Sequence, residues 1–346
     1  MRNLNLKVAS LLILFVATGF LKAQTTSPPL TYMQELSTIT SELKDETWQY
    51  LKAVTKGKGA RKVEKKRMEL IKEVSVRKSQ VSAKKPFTED ASYKNAVKDY
   101  LQMTYTVLKE DFDKILDMED IAEQSYDLME AYILAKELAN KKLDDAFEKL
   151  IAAQEKFAAA NDITLVEGEM DKKSAKIDKA SKALEYYNDV FLIFFKSYKQ
   201  EAYIMDAFER ADVNAMEQNI NSMLLFNEEG VEKLKQLDSY NGDAQLKVAA
   251  NQVFKYFDEE AKIHYPSMVN FYVAKDNFEK AQKVMETTKK SKRTKEQVET
   301  YNKAVAEFNK EVKKFNETSE LTNKGRSKTL DYWNKEVDRF FDRNAN

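Results

Sequence analysis

The sequence has no cysteine, one histidine, four prolines and seven glycines in 346 residues. Each shortage closes off a class of protein. Without cysteine there is no disulfide, no thiolate zinc site and no cysteine to carry a lipid. One histidine, His264, cannot supply the two Glu-x-x-His pairs of a di-iron bundle or the two imidazoles of a His-Glu-x-x-His zinc helix. A serine–histidine–acid triad survives by count alone. His264, however, falls on a helical apolar stripe with Leu246, Val253, Phe257, Met268, Phe271 and Phe278, and reads as a core histidine. No Asp-x-Asp-x-Asp-Gly calcium loop occurs, and Gly57 and Gly59 lack the strand and the Lys-Ser/Thr of a phosphate loop. The expectation is a chain with no catalytic residue, no cofactor and no metal.

Few breakers also means long helices. With 33% charged residues and an abundance of Ala, Glu, Lys and Leu, the composition predicts an all-α fold. The breaks fall at Pro28-Pro29, at Gly57 and Gly59, at Pro86, at Gly168, at Asn241-Gly242 and at Gly325. Thr88, Glu89 or Asp90 should cap the helix after Pro86, and Asp243 the helix after Gly242. Pro266 should kink its helix.

The first residues read as an export signal. Arg2 and Lys7 precede an apolar run from Val8 to Leu21, and "KAQTTSPP" follows. Cleavage is placed after Ala23, with Gly19 the alternative. The run is short for a spanning helix, which needs about 20 apolar residues, so no transmembrane span is expected in the mature chain. Losing residues 1–23 leaves 54 basic and 57 acidic residues, a balance that does not argue for nucleic acid.

The breaks recur. Pro86 answers to Asn241-Gly242, and Gly168 to Gly325. "EDASYKNAVKDYL" (89–101) aligns with "GDAQLKVAANQVF" (242–254), with Tyr93 on Leu246, Val97 on Ala250 and Tyr100 on Val253. A short motif occurs three times, as "LTYMQEL" (30–36), "LEYYNDV" (184–190) and "LDYWNKE" (330–336). In the middle copy Leu184 and Tyr187 begin a stripe that continues through Phe191, Phe194, Tyr198, Met205 and Phe208, with only Glu201 out of pattern. Tyr186, with Tyr32 and Tyr332, lies off the stripe and could bridge adjacent units through its hydroxyl. Residues 190–195, "VFLIFF", are apolar all round and should be buried on several sides. These patterns predict an elongated antiparallel helical bundle of two tandem repeat units. The divisions are 1–23 for the signal, 24–166 and 167–326 for the repeats, and 327–346 for a closing helix.

Charge is segregated. Residues 56–85 carry twelve basic and three acidic residues, and residues 110–130 carry nine acidic and one basic. The simplest account is pairing between these two segments. The other is a cationic surface for an anionic partner, built on Lys56, Lys58, Arg61, Lys62, Lys65, Lys66 and Arg67. "KKSKRTKE" (289–296) reads as a solvated loop.

In layout the chain is similar to imelysin-like periplasmic proteins, but their His-x-x-Glu is missing, since "YPS" follows His264. The run from "AAANDITL" through "YYNDVFLIFFKSYKQE" resembles an uncharacterised family of exported, all-helical surface proteins of Gram-negative bacteria. That resemblance implies the periplasm or the outer cell surface. The expected function is a non-enzymatic structural, adhesive or interaction module of the cell envelope. Its partner would be an envelope protein or an anionic surface polymer. The alternative is a periplasmic ligand-binding protein with an interhelical pocket near His264–Pro266. Residues around 260–272 would then line a cavity of several hundred Å3.

Overall fold

The computed structural model describes residues 27–57, 60–122, 124–165 and 170–345. The leader expected at residues 1–23, Lys58, Gly59 and Gly168 lie outside the described residues. The fold is an all-α helical bundle, with no strand among the described residues. No helix among them is long and apolar enough to cross a membrane.

Residues 190–336 form one compact unit; residues 27–189, with 337–345, form the other. The latter, here the first unit, holds α1 (Pro28–Ser41), α2 (Lys44–Thr55), α3 (Ala60–Ala83) and α4 (Ser92–Thr106). A π-turn, Val107–Asp111, links α4 to α5 (Phe112–Ala122), and α6 (Tyr126–Ala160) follows. Helix α7 (Lys172–Glu209) contributes its residues up to Asp189. The second unit takes the rest of α7, then α8 (Val213–Gln236) and α9 (Gln245–Glu259). A second π-turn, Glu260–His264, leads into α10 (Tyr265–Thr287). Helix α11 (Lys295–Asn344) supplies the remainder through Glu336.

Local chemistry sets the helix starts. Ser27 accepts from the Leu30 N–H, and Pro28 and Pro29 occupy the first turn, where a missing N–H costs nothing. Ser125 and Asp212 cap α6 and α8 by accepting from Leu128 and Ala215. Asp171 accepts from the N–H groups of Lys173 and Ser174 and binds the Lys44 ammonium. Burial alone would raise this carboxyl, but those donors hold it well below the usual carboxylate range.

The two series match residue for residue over four elements. Helices α3 and α8 start 153 positions apart, at Ala60 and Val213, and end 153 apart, at Ala83 and Gln236. The same offset relates α4 to α9 at both ends, and Val107–Asp111 to Glu260–His264. It also relates Asp90, which accepts from the Ser92 N–H at 2.8 Å, to Asp243, which accepts from Gln245 at 2.9 Å. Beyond the π-turns the series part, because α5 has 11 residues and α10 has 23.

Burial follows the predicted stripes. In all three copies of the motif the first and fourth places are buried, as Leu30 and Met33, Leu184 and Tyr187, and Leu330 and Trp333. The third-place tyrosines use their rings: Tyr32 packs on Phe87 and Phe157, and Tyr186 on Phe340. Phe191, Phe194 and Phe195 of the "VFLIFF" run have no exposed surface, and Phe194 meets Trp333 edge-on at 4.4 Å. Each such ring contributes about 1.5–3 kcal/mol on burial. Helices α10 and α11 pack through Phe271 on Phe315 and Phe278 stacked on Phe308. Residues 288–294 turn between them, and Arg293 donates to the Met285 and Thr288 carbonyls there.

Two expectations are corrected. Gly325 does not break the chain; it lies inside α11. A Cβ there would meet a Tyr256 ring carbon at 3.0 Å, so the glycine permits a close approach of α11 to α9. The irregularity expected at Pro266 lies instead in the five residues Glu260–His264. Proline is not its cause, because the matching turn at Val107–Asp111 has Asp113 in the proline's place.

Candidate functional site

Helices α8 and α9 approach each other closely where Gly230 faces Phe254. A Cβ on Gly230 would lie 2.2 Å from the Phe254 Cζ, so only glycine lets the backbone come this near. A groove of about 1190 Å3 runs beside this contact. Leu224, Leu225, Val231 and Phe254 make its apolar part, and Leu225 is 62% exposed. Glu228, Glu229, Glu232 and Asp258 line it with carboxylates, against Lys235, Lys255 and Lys262. Buried Asn227 donates its Nδ2 to Asp258 at 3.1 Å and leaves its Oδ1 without a donor. Glu229 pairs with Lys196, Glu232 with Lys235, and Asp258 with Lys262.

The first unit has the matching groove between α3 and α4, smaller at about 660 Å3. Seven of its lining residues stand 153 positions before lining residues of the larger one: Met68, Ile71, Lys72, Ser75, Val76, Ser79 and Tyr105. The chemistry differs at these shared places. Ser75, Val76, Ser79 and Tyr105 correspond to Glu228, Glu229, Glu232 and Asp258. Lys78 and Lys109 lie over the Tyr105 ring at 4.7 and 5.2 Å, and Lys72 is the one charged residue lining this groove, so it lacks the carboxylates of the other.

The basic residues singled out from sequence divide into two groups. Lys56, Arg61, Lys62 and Lys65 are exposed, and Lys66 is half-buried. Lys56 lies 3.5 Å from Asp342, while Lys65 and Lys66 reach Glu69. Arg67 is buried and belongs to no surface. Its Nη1 donates to the Leu108 carbonyl at 2.5 Å, inside the π-turn, where the altered ladder frees an acceptor. Glu64 and Asp113 complete its partners. Burial would lower the guanidinium's pKa, but these two carboxylates carry it upward. The expected pairing of basic and acidic segments is thus made at Arg67–Asp113, and Asp111 pairs instead with Lys142 of α6.

The second π-turn carries a buried charge network. Glu201, 2% exposed at its side chain, accepts from Arg326 Nε at 2.7 Å and from the Tyr265 hydroxyl at 3.4 Å. Burial pushes the Glu201 carboxyl upward, and Arg326 opposes it by charge and hydrogen bond. Glu260, equally buried, accepts from the Thr322 hydroxyl at 2.8 Å and meets His264 Nδ1 at 2.9 Å. Tyr256 donates to the Thr322 carbonyl at 3.1 Å. Burial beside Glu201 and Glu260 drives Tyr256 and Tyr265 well above the usual phenol range. His264 is not fully enclosed, since 21% of its side chain is exposed. At the matching places the first unit has Val107 for Glu260 and Asp111 for His264, and the motif alignment of Leu30 with Leu184 sets Thr47 against Glu201. The scaffold therefore does not require this network.

Sequence reasoning passed over both features. The clue to the network was Glu201 itself, the one charge on an apolar stripe. The clue to the groove was Leu225, two residues off the buried stripe and followed by Glu228-Glu229. Of residues 260–272 the groove takes only Lys262, while Tyr265, Met268 and Val269 are buried. No group of three or more His, Asp or Glu able to hold a metal occurs among the described residues. No protein-family model, curated protein or solved structure matches the chain.

Proposed function

We propose that this is a non-enzymatic interaction module, exported to the cell envelope, that holds a basic amphipathic helix in the groove between α8 and α9. The groove's chemistry carries the reading. An exposed leucine and an apolar floor are bordered by carboxylates at places where the matched groove has none. A helix docks in such a groove by its apolar residues, and the charges select its sign. The matched helices support an origin by tandem duplication, after which one groove gained four carboxylates, of which Glu228 has no lysine partner among the ion pairs described above. The resemblance to exported surface proteins supports the envelope as the location.

The test is fluorescence anisotropy with a labelled lysine/leucine amphipathic peptide and its glutamate/leucine counterpart. The lysine peptide should bind, and Leu225→Asp should remove the binding. Equal binding of both peptides, or none of either, would overturn the reading. Cell fractionation tests the location; recovery in the cytosol alone would refute export. A second reading places a small ligand at His264, whose partly exposed ring is anchored on Glu260. An unchanged thermal response of His264→Ala to every bound envelope extract would end it.

A further inference from the structure

The groove reading leaves the owner of the basic helix open, and the chain itself carries one that fits. On α3 the side chains of Lys65, Met68, Lys72 and Val76 follow steps of three and four residues and so share one face. All four are exposed, with Met68 at 52% and Val76 at 40%. Two apolar side chains alternating with two lysines make a ridge about 17 Å long, at 1.5 Å per residue, and Met68, Lys72 and Val76 of it are also the α3 wall of the smaller groove. The groove's lining on α8, from Asn221 to Lys235, runs about 21 Å on the same rise. Helix α3 carries eight basic and three acidic residues, and α8 two basic and four acidic. Ridge and groove thus match in length, apolar content and charge, and both are open within a single chain.

We infer that the occupant is α3 of a second copy of this chain. Met68 and Val76 would lie against Leu225 and Phe254, with Lys65 and Lys72 beside Glu228 and Glu232. A lysine ammonium entering next to Asp258 would supply the donor that Asn227 Oδ1 lacks. Ridge and groove are different surfaces, so the contact is heterologous. Each copy that binds retains an unused ridge or groove, and chains of copies grow unless two close reciprocally. One helix on one groove is a small contact of the weak, transient class, so association should be micromolar or weaker.

The inference rests on the groove reading, and the experiment separates the two. The full mature chain is followed by sedimentation velocity over a concentration series, at low salt and at about 1 M NaCl, where the screening length falls to about 3 Å. The sedimentation coefficient should rise with concentration at low salt and not at high salt. Lys65→Glu/Lys72→Glu and Glu228→Lys/Glu232→Lys should each weaken association at least tenfold, with unchanged circular dichroism. An equimolar mixture of these two variants should associate, because one supplies an intact groove and the other an intact ridge. A monomeric wild type that still binds the lysine/leucine peptide would overturn self-association and leave the groove reading standing. Association untouched by both variants would also overturn it. A monomer that binds no peptide would remove both.

Discussion

Replacing Arg326 with methionine strips the buried Glu201 of its cationic partner and leaves only the Tyr265 hydroxyl, at 3.4 Å. The carboxyl is 2% exposed and feels the neighbouring charge of Glu260, so it cannot stay ionised cheaply. It takes up a proton instead, and that sets the size of the effect. Protonating a glutamate whose unfolded pKa is near 4.3 costs about 3.7 kcal/mol at pH 7, at about 1.36 kcal/mol per unit. This agrees with the roughly 3–5 kcal/mol seen when one partner of a buried pair is removed. The sign with pH follows. Glu201 in the folded variant has a pKa above its unfolded value, so the penalty is complete above the folded pKa. Relative to the wild type it shrinks by about 1.4 kcal/mol for each unit of acidification and vanishes below the wild type's own folded pKa, which burial already holds above the unfolded value. Urea denaturation at pH 7.5, 6.5 and 5.5 should therefore show Arg326→Met converging on the wild type as pH falls. The double variant Glu201→Leu/Arg326→Met should recover most of the loss, because no buried charge is left. A loss under about 1 kcal/mol that is the same at all three pH values would refute the reasoning.

Gly230→Ala should lower the melting temperature. The new Cβ lies 2.2 Å from Phe254, and overpacking of about 1–3 kcal/mol outweighs a gain in helix propensity of about 1 kcal/mol. Arg67→Met should cost about 2–3 kcal/mol in urea denaturation, because the Leu108 carbonyl loses its donor inside the first unit. In the same unit burial raises Asp144 and Asp189 to about 6, with Asp145, Glu148 and Glu137 adding like charge. Folded values above the unfolded ones mean that stability rises as pH falls from 7.5 through 6 and levels off below about 4. Asp144→Asn should raise the unfolding free energy at pH 7.5 by about 1 kcal/mol after allowance for solvent screening, and have no such effect at pH 4.

The all-α class and the breaks near Gly57, Pro86 and Gly242 were legible because breakers are few, whereas the breaks at 42–43 and 210–212 contain neither proline nor glycine and were not. The 153-residue alignment was legible because apolar spacing repeats over 89–101 and 242–254. Two other things were hidden for a physical reason. A π-turn inserts an extra residue into the helical count, and no residue type announces it. VLKED and EAKIH share only their lysine. A stripe counted through residue 260 is about 100° out beyond it, at 3.6 residues per turn. That displacement is why His264 counted as a core residue yet is partly exposed. The groove was hidden because it depends on how near two backbones come, which Gly230 permits without indicating the partner ring. Arg67 was grouped with exposed lysines because its six basic neighbours share its composition but not its face.

The paired π-turns constrain how this chain can change. The two turns differ at four of their five positions and keep the same length. A π-turn holds one residue more than an α-turn, so losing one residue from 107–111 or 260–264 would return the segment to plain α-helix. What the two halves have in common at this point is a length rather than a set of letters. Searches for kin of this protein should therefore weight the spacing between the Asp90 and Asp243 turns and the tyrosine and phenylalanine that open α10 and α5, not the residues in between.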